Sequence, residues 1–112
     1  MKRLKTMVAW EQAISYDGVT LVDFYMNWCL PCQKLAPVLD ELEKEYTSAG
    51  QKLKMVKIEV DDIPNLSRRF KVSAAPSLFL FIRGKESGTR MIGLKEKGVI
   101  KKRLDLELKK LN

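Results

Sequence analysis

The chain has 112 residues, a length that fits one domain and leaves no room for a second. Its composition, 46% hydrophobic and 31% charged, is that of a globular protein and argues against disorder, collagen and solenoid architectures. The absence of histidine excludes the Ser-His and Cys-His nucleophile pairs and the commonest metal ligand.

The net charge of +7 is concentrated at the two ends of the chain. Lys2, Arg3 and Lys5 lie at one end, and residues 95–112 hold seven basic against three acidic side chains. No interleaved aromatic residues accompany these charges, so we expect solvated helix faces and no nucleic-acid partner.

Neither a signal peptide nor a membrane span is indicated by the hydropathy of the chain. No apolar run of seven or more residues precedes Glu11, and no later stretch approaches the apolar length of a membrane span. We therefore expect a cytoplasmic protein without a membrane partner.

The first half of the chain alternates strand and helix signals. A weak edge strand, a short helix and a strand buried on both faces are predicted at 4–7, 8–15 and 20–26. Asp23 is the one charged residue of that buried strand. Apolar residues at helical spacing then predict a helix over 29–46, which Pro37 should kink because it removes a backbone donor.

The second half repeats the alternation and ends on a helix. A strand, a short helix, a buried strand, a hairpin turn, a last strand and an amphipathic helix are predicted at 54–60, 63–70, 77–82, 83–85, 86–92 and 95–111. This order is typical of an α/β fold, with helices on both faces of a central sheet.

Two cysteines lie at the junction between the buried strand and the longest predicted helix, in the segment Trp28-Cys29-Leu30-Pro31-Cys32. Cys29 should sit exposed at the helix N-terminus, where unpaired amides and the helix dipole lower the pKa of a thiol below the roughly 8.5 of free cysteine. Cys32 follows one turn later, close enough for the two sulfurs to bond. The pattern favours thiol-disulfide chemistry.

Two other interpretations of the cysteine pair remain open. A zinc site needs four ligands, and without histidine two of them would have to be carboxylates or come from a second chain, so we expect no metal. An inert buried pair is disfavoured by the helix-start position and by the preceding Trp28.

The segment DFYMNWCLPCQKLAPVLDELEKEY resembles the active-site strand and helix of thioredoxins, and the resemblance continues through MVKIEVDD, VSAAPSLFLFIRGK and Gly93. It implies a thioredoxin fold, with a central mixed β-sheet flanked by helices on both faces, as one domain over residues 1–112. It also implies a monomeric protein-disulfide reductase without a bound cofactor. Such a protein acts on protein disulfide substrates and is reset by a separate electron donor of the thioredoxin reductase kind.

The resemblance also assigns chemical roles. Cys29 corresponds to the attacking cysteine and Cys32 to the resolving one. Asp23 corresponds to the buried aspartate that takes a proton from Cys32, and Lys57 to the buried lysine of the family. An ion pair between Asp23 and Lys57 is the alternative account of the buried charge, and both can hold at once.

A mostly apolar docking surface around Cys29 is implied as well, formed by Trp28, Leu30, Pro31, Ala75, Pro76 and Gly93. Pro76 corresponds to the family's cis-proline, and the backbone of Ala75 before it can pair with an extended substrate. Taken singly, Trp28 could be a core residue, Pro76 a strand-start proline and Gly93 a bend.

Several residues depart from the thioredoxin pattern. Leu30 stands where glycine is usual, Tyr25 where tryptophan is common, Ala75 where a larger β-branched residue is common, and Leu94 where a small residue is frequent. Because of these departures, the resemblance does not indicate which partner proteins or which reductase the chain uses. The residues between the cysteines include no histidine, unlike those of strongly oxidising relatives, which favours a reductant. A thiol oxidase, a disulfide isomerase and a protein-binding adaptor without turnover remain alternatives.

Overall fold

Six strands form one mixed sheet in the computed structural model, which describes residues 1–112. They are β1 (Lys2–Arg3), β2 (Val19–Tyr25), β3 (Leu53–Glu59), β4 (Ser77–Ile82), β5 (Lys85–Glu86) and β6 (Met91–Ile92). Strands β1, β3 and β2 run parallel, and β4 is antiparallel to β2. The short strands β5 and β6 pair with opposite ends of β4.

Four helices cover the two faces of this sheet, which confirms the predicted α/β layout. They are α1 (Met7–Ile14), α2 (Leu30–Ser48), α3 (Pro64–Arg69) and α4 (Lys97–Lys109). Side chains alternate along a strand, so Leu21 packs with the leucines of α2 and α4 while Val22 packs with Trp10 of α1 on the other face. No helix is both long enough and apolar enough to pass through a membrane.

The N-terminal strand lies earlier in the chain than the sequence indicated. Strand β1 covers Lys2–Arg3, not residues 4–7, and its ladder ends where Leu4 N donates to Lys57 O at 2.9 Å. The Thr6 hydroxyl then accepts a hydrogen bond from Ala9 N at 3.1 Å and caps α1. Because Thr6 is the cap and Met7 is already helical, the strand could not continue to residue 7.

The last strand was predicted as one element over 86–92, which is wrong. The chain leaves the sheet between β5 and β6, where Gly88 has a φ of +71°. The Arg103 guanidinium of α4 donates to the carbonyl of Ser87 at 3.0 Å and to that of Thr89 at 2.6 Å. These carbonyls are satisfied by a side chain, so this stretch needs no strand partner.

The hairpin turn and the long helix are confirmed, while the kink expected at Pro37 stays a prediction. Arg83 and Gly84 both have positive φ, as a tight two-residue β-hairpin requires. Helix α2 continues through Pro37 without interruption. It begins one residue later than predicted because Cys29 is its N-cap.

Candidate functional site

The C-terminal end of β2 leads directly into the first turn of α2, and this junction carries the cysteines. Cys29 has an extended backbone, with φ −117° and ψ 107°, and its sulfur accepts a hydrogen bond from Cys32 N at 3.3 Å. Pro31 lies in the first turn, where a missing N–H leaves no bond unmade. The Cys29 sulfur thus faces the positive end of α2, which favours its thiolate once the pair is reduced.

The two sulfurs lie at disulfide distance, with their Cα atoms 5.2 Å apart, as the spacing predicted. The two cysteines differ in accessibility. Cys32 is buried at 5% exposure, whereas Cys29 is partly exposed. Only Cys29 can therefore meet a disulfide on another protein.

Asp23 lies beneath this pair with no hydrogen bond to its Oδ1 atom and only 4% exposure. Burial raises the pKa of this carboxyl to about 7, and the positive charge of Lys57 partly opposes the rise. Asp23 and Lys57 are paired in register on β2 and β3. Asp23 and Lys57 form no direct ion pair, because the ammonium makes no contact with the carboxylate and lowers its pKa only through its charge at a longer distance.

A small cavity joins the buried acid to the resolving cysteine. Its volume is about 140 Å³, and its walls include Asp23, Cys32, Lys57, Tyr25 and Ala36. That volume is ample for water, which needs roughly 10–15 Å³ of accessible space. A water molecule inside the cavity can carry a proton between the Cys32 sulfur and the Asp23 carboxyl.

Three exposed residues next to Cys29, namely Trp28, Leu30 and Pro31, form an apolar rim. Trp28 is 97% exposed and Leu30 is 61% exposed, so the alternative of Trp28 as a core residue is wrong. Pro31 is exposed as well.

The other predicted surface residues lie across from this rim. The Ala75–Pro76 peptide bond is cis, and Ala75 O lies 3.5 Å from the Cys29 sulfur. Gly93 N donates to Pro76 O at 2.8 Å, and its φ of +87° favours glycine. The structure therefore brings the predicted loops to one side of the disulfide.

Two residues of this region are missed by sequence reasoning. Ile92 is half-exposed beside Gly93, and Met26 is half-exposed two residues before Trp28. Apolar residues beside a predicted surface glycine were the available signal. The sequence marks Tyr25 and Leu94 only as departures from the thioredoxin pattern, yet Tyr25 lines the Asp23 cavity and Leu94 is half-exposed beside Gly93. The described residues contain no group of three or more metal-binding side chains.

Comparisons with known proteins agree with this geometry. The sequence model of the Thioredoxin family matches residues 2–106, which include every residue of the candidate site. Thioredoxin-1 of Saccharomyces cerevisiae is 36% identical over 84 residues, covering 75% of this chain and 78% of that protein. The thioredoxin of Chlamydia caviae is 42% identical over 80 residues, covering 71% of this chain and 74% of that protein.

Solved structures show the same similarity in three dimensions. A mutant thioredoxin of Halobacterium salinarum superimposes with a TM-score of 0.85 at 27% identity, covering 96% of this chain and 89% of that one. The thioredoxin of Fasciola hepatica superimposes with a TM-score of 0.84 at 26% identity, covering 96% and 99%.

Proposed function

The chain belongs to the thioredoxin family and is a thiol-disulfide oxidoreductase with disulfide reductase activity, and from this premise we propose how its residues divide the reaction. In the reduced protein, the Cys29 thiolate attacks one sulfur of a partner's disulfide. A bond forms between Cys29 and that sulfur, and the other partner sulfur leaves as a thiolate. The position of Cys29 at the start of α2 supports this role, because the helix stabilises the attacking thiolate.

Cys32 completes the exchange. Its thiolate attacks the Cys29 sulfur, the mixed disulfide breaks, and the partner leaves with its second sulfur reduced. Asp23 takes the Cys32 proton. One observation carries this assignment: the Asp23 carboxyl is buried without a hydrogen bond to Oδ1, on the cavity that Cys32 also lines. A base with a pKa of about 7 accepts a proton readily at neutral pH. The charge of Lys57 keeps part of the Asp23 population ionised.

The exposed rim around Cys29 binds the partner. Trp28, Leu30 and Pro31 provide apolar contact, while the backbone of Ala75 pairs with an extended segment that carries the disulfide. Pro76 and Gly93 hold that loop in place through their hydrogen bond. Because Leu30 adds exposed apolar surface, it selects partners with an apolar residue beside their disulfide.

The cellular role follows from the same chemistry. The oxidised protein has to be reduced again, and we assign this step to a separate reductase of the thioredoxin reductase kind. No cofactor is bound by this chain, which works as a monomer of one domain over residues 1–112. It contributes to electron transport and redox homeostasis in the cytoplasm, where such reductants are needed.

The division of roles is tested by trapping. In a Cys32→Ser variant the mixed disulfide with Cys29 cannot be resolved, so partners should remain covalently attached and be released by dithiothreitol. A Cys29→Ser variant is the matched control and should trap nothing. Recovery of equal amounts from both variants, or of none from a folded Cys32→Ser protein, would contradict the two-cysteine mechanism.

A further inference from the structure

The Lys57 ammonium contacts an aromatic ring and not the buried carboxylate of Asp23. The ammonium lies over the Tyr25 ring, 5.6 Å from the ring centroid, and both side chains line the cavity that joins Asp23 to Cys32. Lys57 acts on Asp23 through charge alone, and Asp23 Oδ1 has no hydrogen-bond partner. A lysine side chain is long and flexible, so some other contact has to fix its charge near the cavity.

We propose that Tyr25 is a positioning residue whose ring holds the Lys57 ammonium at the wall of the Asp23 cavity. The face of an aromatic ring carries negative potential and attracts a cation within about 6 Å. The strand register provides this contact. Asp23 is opposite Lys57, and Tyr25 follows two residues later on the same face of the sheet. The proposal rests on the proposed role of Asp23 as the proton acceptor.

Other charged groups near Tyr25 already have partners. The Arg3 guanidinium lies 6.0 Å from the ring centroid, but it is bound to Asp62 at 2.9 Å through Nε and at 2.7 Å through Nη2. The Glu59 carboxylate accepts a backbone hydrogen bond of its own at 2.9 Å. Lys57 is therefore the cation whose position depends on the ring.

Removal of the ring has a defined consequence. The ammonium of Lys57 would extend into solvent, and its support for the ionised form of Asp23 would be lost. Burial would then raise the pKa of Asp23 without the opposing effect of the Lys57 charge, so its carboxyl would stay protonated to higher pH. The pH at which Cys32 is deprotonated in the mixed disulfide should rise with it.

The test follows the Asp23 carboxyl directly by ¹³C NMR titration of the full-length oxidised protein. Tyr25→Leu should raise the pKa of Asp23 as much as Lys57→Met does, and the double variant should show no further rise. Tyr25→Phe keeps the ring and should titrate as the wild type does. Arg3→Met is the matched control, because it removes the other cation from the same ring and should leave the titration unchanged.

Two results would overturn the proposal. If Tyr25→Leu shifts the titration equally in the wild-type and Lys57→Met backgrounds, the ring acts by excluding water from the cavity. If Tyr25→Phe shifts it as far as Tyr25→Leu does, the hydroxyl group is responsible instead.

The pH dependence of partner release, measured in the same variants, separates this inference from the mechanism on which it rests. If Tyr25→Leu shifts the pKa of Asp23 but leaves the pH dependence of partner release unchanged, Asp23 is not the proton acceptor, although Tyr25 still positions Lys57. If Asp23→Asn slows release but Tyr25→Leu leaves the titration unchanged, the positioning role alone is wrong.

Discussion

Replacement of Asp23 by asparagine should stabilise the oxidised protein at alkaline pH and leave its stability nearly unchanged at acidic pH. The folded state raises the pKa of this carboxyl from 3.8 to about 7. The folded protein therefore binds the proton more tightly than the unfolded chain does. As the pH rises from about 4 to about 7, the unfolded chain loses this proton first, and the free energy of unfolding falls.

The size of the effect follows from the same shift. One pKa unit corresponds to about 1.4 kcal/mol, so a rise from 3.8 to about 7 corresponds to about 4 kcal/mol above pH 7. Asparagine carries no charge and does not incur this cost. Because it is still a buried polar group, we expect a gain of about 2–4 kcal/mol at pH 8.

Urea denaturation of both proteins between pH 4 and pH 9 measures the difference. Asp61→Asn is the matched control, since Asp61 is exposed and should show no comparable gain. A stability difference between Asp23→Asn and the wild type that is the same at pH 4 and pH 8 would refute the reasoning, because only ionisation of a buried carboxyl predicts the pH window.

Three further results are expected. Asp23→Asn should slow release of the partner from the mixed disulfide more than the initial attack by Cys29, and stopped-flow traces with both steps unchanged would exclude the proton-acceptor role. The Cys29–Cys32 pair should become oxidised in a glutathione buffer poised near the cytosolic value, whereas a pair that stays reduced would indicate an oxidase or isomerase. Thr6→Ala should cost about 1 kcal/mol of stability in urea denaturation, because it removes the cap of α1, and an unchanged midpoint would contradict that role.

The central elements could be predicted because their signals are local. A run of apolar β-branched and aromatic residues defines β2, and apolar residues at helical spacing define α2. Two-residue strands such as β1 and β6 are too short for such a pattern. The break between β5 and β6 depends on Arg103, which lies far along the chain and satisfies the carbonyls of Ser87 and Thr89.

The features of the site also divide into those that local sequence shows and those that depend on distant parts of the chain. The cysteine pair was visible as a motif, and Asp23 was visible as a lone charge in an apolar strand. The contact between Lys57 and Tyr25 was not visible, because it depends on how β2 and β3 are aligned. The exposure of Trp28 was also ambiguous, since an isolated tryptophan fits a core equally well.

Both borders of the sheet are formed by two-residue strands, of which β1 and β5 are charged and β6 is apolar. Lys2–Arg3 forms one border, and Lys85–Glu86 forms part of the other before the chain departs at Gly88. A foreign strand needs a long, flat row of free amides and carbonyls to add itself to a sheet, and a two-residue strand does not offer one. The break at Gly88 that divides the expected last strand into β5 and β6 therefore also shortens the row of backbone groups with which an added strand could pair.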